Sequence, residues 1–203
     1  MVHLPDEGYI KFTVDWTESP PLPLQDWENL HHWRQIAYDA GFIGMYPDGT
    51  GYGNISVRAE GKPLFLISGS GTGRLAVLDG RHFCSVTQVV ADRNFVACEG
   101  PIVASSESMS HAAIYEACAE VQSVIHAHNR KIWQRLLNTV PTTGQDTPYG
   151  SPEMAAAIVR LIRKENMCRG GIMVTAGHED GIFAFGPSLE STFQLLKSLL
   201  PNT

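Results

Sequence analysis

The chain has 203 residues, a length that one domain accommodates and that buries a substantial core without outside help. Apolar residues make up 43% and charged residues 18%, the balance of a globular rather than a disordered protein. With 15 Lys+Arg against 21 Asp+Glu the formal net charge is −6, which argues against a broad electrostatic grip on nucleic acid or on an anionic membrane.

The opening residues Met1-Val2-His3-Leu4-Pro5-Asp6-Glu7 lack a basic stretch followed by an apolar run, so no secretory signal is expected. No segment approaches the roughly 18 uninterrupted apolar residues of a membrane span. The expectation is a cytoplasmic protein with neither a nucleic-acid nor a membrane partner. Cys84, Cys98, Cys118 and Cys168 lie far apart and form no CxxC pair. They predict buried free thiols rather than a zinc knuckle or a disulfide scaffold.

In chain order, the prolines of Ser19-Pro20-Pro21-Leu22-Pro23 oppose a helix, and one is expected just beyond them. Over residues 24–40, Trp27, Leu30, Trp33, Ile36 and Ala37 make one apolar stripe, stopped by Gly41. Residues 51–98 carry short β-prone runs at 55–57, 64–67 and 95–98, separated by Gly, Asp and Asn. Then come a helix over 107–118, a strand over 124–128 and helices over 131–137 and 152–164. Strands at 172–175 and 181–185 precede an amphipathic helix over 189–200. This mixture predicts an α/β sandwich with no repeat or linker: one domain over 1–203, with a short N-terminal extension at about 1–23.

The most informative segment is Val124-Ile125-His126-Ala127-His128, because two-residue spacing on a strand points both imidazoles to one face. His178, in Thr175-Ala176-Gly177-His178-Glu179-Asp180-Gly181, is a candidate third ligand where a strand ends among small residues. Three neutral imidazoles suit a catalytic Zn²⁺ with an open position. Ser105-Ser106-Glu107 opens a helix; it can gather hydroxyls and free N–H groups around an anion, or simply cap the helix. His111, one turn on, reads as a packing residue. Ile67-Ser68-Gly69-Ser70-Gly71-Thr72-Gly73 is a second anion candidate or a flexible turn, and is no Walker A loop because it lacks the Gly-Lys-Ser/Thr ending. Asn54, in Gly53-Asn54-Ile55-Ser56-Val57-Arg58, serves a turn or presents its amide to a ligand.

Taken together, Gly53-Asn54-Ile55-Ser56-Val57-Arg58, Ile67-Ser68-Gly69-Ser70-Gly71, Ser105-Ser106-Glu107, His126-Ala127-His128 and Gly177-His178 follow one another as in the class II aldolase/adducin family, which the chain resembles over about residues 30–199. The resemblance implies a three-layer α/β/α sandwich with a central mixed, largely antiparallel sheet, and commonly a homotetramer with sites between subunits. In the family's sugar-phosphate aldolases three histidines bind zinc, a glutamate exchanges protons, and polar residues hold phosphate. The resemblance therefore implies that His126, His128 and His178 are metal ligands and Glu107 the acid/base. It also implies that Asn54, Ser70, Gly71, Ser105 and Ser106 form the phosphate cradle, Ser70 standing where those aldolases usually have threonine.

Two departures stand out. Glu179-Asp180 separates His178 from Gly181, where many relatives have glycine directly after the metal histidine. The chain also ends soon after its last helix, short of the tail that supplies a catalytic tyrosine in some relatives. Asp146-Thr147-Pro148-Tyr149-Gly150 resembles the region where related epimerases place a second proton-transfer acid, which makes Asp146 that candidate, against plain turn formation. The implied activity is a divalent-metal-dependent retro-aldol cleavage of a small phosphorylated ketose through a stabilised enediolate. Dehydration, epimerisation and decarboxylation by the same chemistry, or an adducin-like binding module, are the alternatives.

Overall fold

The computed structural model describes residues 9–59 and 64–201. Its elements begin with β1 (Thr13–Glu18), α1 (Leu24–Asp39), β2 (Gly44–Met45), β3 (Gly51–Tyr52), β4 (Asn54–Arg58), β5 (Phe65–Ser68), β6 (Phe83–Val90) and β7 (Phe95–Gly100). They continue with α2 (Ser108–Ala117), β8 (Ser123–His128), α3 (Arg130–Leu136), β9 (Thr142–Thr143), α4 (Pro152–Glu165), β10 (Gly171–Thr175), β11 (Gly181–Gly186) and α5 (Leu189–Lys197). Nine strands form one sheet in the order β1-β7-β6-β5-β4-β8-β11-β10-β9, while β2 and β3 make a separate hairpin. Among the described residues only the pairs at the two edges, β1 with β7 and β10 with β9, run parallel. The largely antiparallel mixed sheet is the one expected.

Strand alternation sorts the core into two faces. Ile55, Ile125 and Ala127 pack with Leu30 and Ala37 of α1 and with Phe193 and Leu196 of α5. Val124, Phe183 and Phe185 pack on the other side with Met109 and Ile114 of α2 and with Ile158 and Ile162 of α4. Helices therefore cover both faces, giving α/β/α layers, and β8 and β11 are buried along their whole length. Because His126 and His128 alternate in phase with Val124, the strand delivers both imidazoles to the α2/α4 face.

The helices begin where local chemistry starts them. Ser151 Oγ accepts from Met154 N–H at 3.2 Å with Pro152 at the first position of α4, and Ser188 and Ser191 close a capping box on α5. Asn129 caps α3 by accepting from Ile132 N–H at 3.1 Å. Predicted and observed helices agree to within a few residues at each end.

Three features differ from expectation. Of the extension expected at about 1–23, residues 1–8 lie outside the described residues, and Thr13–Glu18 form the edge strand β1, paired through Thr13–Phe95 to Glu18–Gly100. The α1 stripe includes a charge: Arg34 is fully buried and donates to the carbonyls of Thr72 at 2.8 Å and Leu75 at 2.6 Å. The free-thiol reading is corrected for one pair, since Cys118 and Cys168, 50 residues apart, are joined in a disulfide with Cα atoms 4.9 Å apart. The end of α2 and the turn before β10 meet there, a proximity that spacing along the chain does not reveal. Cys84 and Cys98 remain buried free thiols. Among the described residues no helix is long and apolar enough to cross a membrane.

Candidate metal centre and acid/base site

The site grows from the middle of the sheet. His126 and His128 lie on β8, where His126 faces Asn54 of β4 on one side and Phe183 of β11 on the other. Their Nε2 atoms are 2.9 Å apart. His178 comes from the β10–β11 turn, its ring 5.1 Å from that of His126 and 4.8 Å from that of His128. One ligand atom from each of the three imidazoles lies within 4.8 Å of the others, and all three side chains are buried.

Burial drives the pKa of His126 well below its ordinary value, with His128, His178 and His111 adding to the effect. A neutral imidazole keeps a lone pair for a cation, and three buried nitrogen donors facing one point fit a divalent transition metal. The described residues thus form a possible three-histidine metal site.

Two glycines let the turn approach. A side chain at Gly181 would meet the Thr175 hydroxyl and come within 3.2 Å of His126 Cε1. One at Gly177 would meet the carbonyls of Thr147 and, at 2.7 Å, Gln145, so the 145–149 loop packs directly on the His178 turn. Glu179-Asp180 lies within that turn. Gly181 N–H donates to His178 O at 3.1 Å, Thr175 Oγ1 donates to the carbonyls of His178 at 3.0 Å and Gly181 at 3.1 Å, and Asp180 adopts φ 69°. Asp tolerates that left-handed backbone better than most residues.

Glu107 sits at the N-terminus of α2 and is fully buried. Its Oε1 lies 3.3 Å from His178 Nδ1, and its Oε2 accepts from Ser110 Oγ at 2.7 Å. The Ser105 hydroxyl accepts from Glu107 N–H at 3.3 Å just ahead of the helix, whose N-cap position is Glu107 itself, without a side-chain cap bond. His111 is the packing residue expected. Its Nδ1 is 2.7 Å from Ser56 Oγ, its ring meets Phe183 edge-on, and burial lowers its pKa to about 3.

The anion candidates fall beside this cluster. Ser70 N–H donates to Val103 O at 2.9 Å and Gly69 bridges to Ala104, which ties the 69–73 turn to the segment entering Ser105-Ser106. Ser105 and Ser106 are buried, Ser70 is half-buried, and Gly71 is exposed with φ 71°. Asn54 is buried with its Oδ1 unpartnered among the described residues, and Ile55 N–H beside it donates to Ser68 Oγ at 3.2 Å. Asp146 is exposed on the 144–150 loop, outside the buried cluster.

Several site residues were not singled out by sequence. Tyr149 packs at a tilt on His178 with ring centres 4.8 Å apart, Tyr52 stacks on His128 at 5.4 Å, and Tyr46 places its hydroxyl 2.6 Å from His128 Nδ1. Tyr46 and Tyr52 arrive on the β2–β3 hairpin, and they line a cavity of about 620 Å³ with Met45, Arg130 and Asp180. The only signal for Tyr149 was its place in Asp-x-x-Tyr-Gly.

No curated protein matches the chain. Solved structures do. An L-fuculose-1-phosphate aldolase from Thermus thermophilus is 21% identical with a TM-score of 0.61, over 87% of this chain and 90% of that one. Another L-fuculose 1-phosphate aldolase is 19% identical with a TM-score of 0.66, over 88% and 83%. YgbL from Klebsiella pneumoniae is 18% identical with a TM-score of 0.63, over 86% and 84%. At these identities the likeness establishes the fold. The family model for the class II aldolase and adducin N-terminal domain matches residues 47–199, which contain every element of the cluster just described except Tyr46 and Met45, and the chain belongs to that family.

Proposed function

We propose that this protein is a metal-dependent lyase that cleaves a small phosphorylated ketose or related hydroxy-carbonyl compound by a retro-aldol reaction. One observation carries the reading: a buried carboxylate, Glu107, lies 3.3 Å from one member of a buried three-histidine cluster. His126, His128 and His178 would hold the cation, Zn²⁺ being the best match to three imidazoles. When bound, such an ion supplies Lewis acidity toward a substrate carbonyl.

The chain's own residues do the rest. Glu107, with Ser110 fixing one oxygen, takes or gives the proton at the reacting carbon or hydroxyl. Asn54, Ser70, Gly71, Ser105 and Ser106 would receive the substrate's phosphate through hydroxyls, an amide and backbone N–H groups. These neutral donors reconcile an anionic substrate with a chain of net charge −6. Asp146, on the exposed loop packed against the His178 turn, would serve as a second acid from the rim. Assembly into homotetramers, as the family resemblance implies, would complete the walls of the site.

The test is metal analysis of the wild type and His126→Ala, followed by product analysis on a panel of phosphorylated ketoses. We expect one divalent ion per chain, lost in the variant, and paired carbonyl fragments as products. A wild type that binds no metal and turns over nothing would sink the reading in favour of a binding module. Dehydrated, epimerised or decarboxylated products would keep the site and replace the reaction.

A further inference from the structure

We infer that Tyr46 and Asp180 are positioning residues that fix the tautomer of His128 and so set the affinity of the centre for its metal. This rests on the metal reading of the three histidines, and it concerns residues that neither the family motifs nor the resemblance assigns.

Two contacts link the three side chains, and the inference assigns their direction. Tyr46 Oη lies 2.6 Å from His128 Nδ1 and donates to Asp180 Oδ2 across a longer 3.4 Å. A phenol has one proton. If that proton goes to Asp180, a carboxylate with nothing to donate, the short contact to the ring must be made by Nδ1–H of His128 donating to the phenol oxygen. The proton is then on Nδ1, and Nε2, the nitrogen that faces His126 at 2.9 Å, is left with its lone pair toward the cluster. A carboxylate at the end of such a chain orients a ligand ring and raises its basicity.

The supports of the relay are built independently of the imidazoles. Tyr46 N–H donates to Thr50 O at 2.8 Å and Gly49 N–H to Tyr46 O at 2.9 Å, which closes the β2–β3 hairpin around the tyrosine. Tyr52, from the same hairpin, lies flat against His128 with an interplanar angle of 21° and limits ring rotation from the other direction. Asp180 is 7% exposed and held by the 178–181 turn, with its carbonyl accepting from Asn129 N–H at 3.2 Å. The Glu179-Asp180 pair between His178 and Gly181 thereby places a carboxylate behind a different proposed ligand, His128.

The experiment has two arms. In the first, ¹⁵N NMR of the imidazoles in metal-free protein reads the tautomer directly. We expect the Nδ1–H form for His128 in the wild type and a mixture in Tyr46→Phe; an Nε2–H form in the wild type would overturn the inference whether or not metal binds. In the second, chelator competition gives Zn²⁺ affinity. Loss of the outer partner is expected to weaken binding about 10- to 100-fold in Tyr46→Phe. A smaller loss is expected in Asp180→Asn, which keeps a residue tolerant of positive φ, and the double variant should fall no further than Tyr46→Phe. Affinities within twofold of wild type in both single variants, with unfolding temperatures unchanged, would overturn it. Should Tyr46→Phe not fold, Asp180→Asn carries both arms. A wild type without Zn²⁺ affinity would refute the metal reading, whereas a wrong tautomer in a metal-binding wild type refutes only the relay.

Discussion

Glu107 Oε1 lies 3.3 Å from His178 Nδ1, so the proposed proton-transfer group and a proposed metal ligand touch although they are 71 positions apart. The contact exists because α2 starts at the sheet face onto which the β10–β11 turn folds. Replacing Glu107 with Gln keeps shape and volume and removes the base. Turnover of the substrate found in the product screen should fall at least 100-fold with metal content unchanged. Ser110→Ala removes the 2.7 Å hydroxyl contact to Oε2 and should cost about tenfold, a size typical of one lost charge-assisted hydrogen bond. Steady-state kinetics beside metal analysis checks both.

Acid should destabilise the metal-free protein well before carboxylates titrate. Burial holds His111 at about 3 and His126 well below its usual range, whereas in the unfolded chain histidine titrates near ~6.5. Below that pH the unfolded state binds more protons than the folded state, so stability is retained above about 6.5 and lost as pH falls toward the folded values. Each such histidine contributes a slope of roughly 1.4 kcal/mol per pH unit within the window. Urea unfolding at pH 7.5 and pH 5.5 should show the loss, and His111→Gln should reduce it by about one proton.

Arg34 is expected to be the costliest charge to delete. It is fully buried, burial brings its pKa down to about 10, and it also reaches the carbonyls of Gly73 and Ala76 at 3.4 Å. Arg34→Met would strand those acceptors and destabilise the protein by about 3 kcal/mol. Because the loop it pins follows directly on Ser70 and Gly71, KM should rise more than kcat falls.

The Cys118–Cys168 disulfide closes a span of 50 residues, for which loop entropy gives a stabilisation of about 4 kcal/mol as an upper value. Reductant, or Cys168→Ser, should lower the unfolding temperature by several degrees, measured calorimetrically in metal-free protein. An unchanged transition in both would mean that the bridge does not form in solution.

Periodicity carried much of the fold. The alternation in Val124-Ile125-His126-Ala127-His128 foretold both the strand and the shared face of its imidazoles, since a covered strand needs nothing but its own spacing to orient them. Strand β6 falls between the expected runs, although Phe83-Cys84-Ser85-Val86-Thr87-Gln88-Val89-Val90 is rich in β-branched residues. Arg34 was hidden because a charge on a helix normally reads as its wet face; only the carbonyls of a loop about 40 residues later make its burial tolerable. Tyr46 and Asp180 lie 134 positions apart, and no local pattern announces a phenol and a carboxylate that meet behind a third residue. The same long-range proximity joins Cys118 to Cys168.

The cluster is built from parts of unequal rigidity. His126 and His128 are fixed in a strand with neighbours on both sides and helices above and below, so altering their spacing would disrupt the whole sheet. His178 sits in a reverse turn that already holds Glu179-Asp180 while closing on itself through the Gly181–His178 hydrogen bond. One corner of the cluster is therefore carried by a turn, and the other two by a buried central strand. A change of sequence at that turn reaches one member of the cluster without breaking a strand pairing of the central sheet.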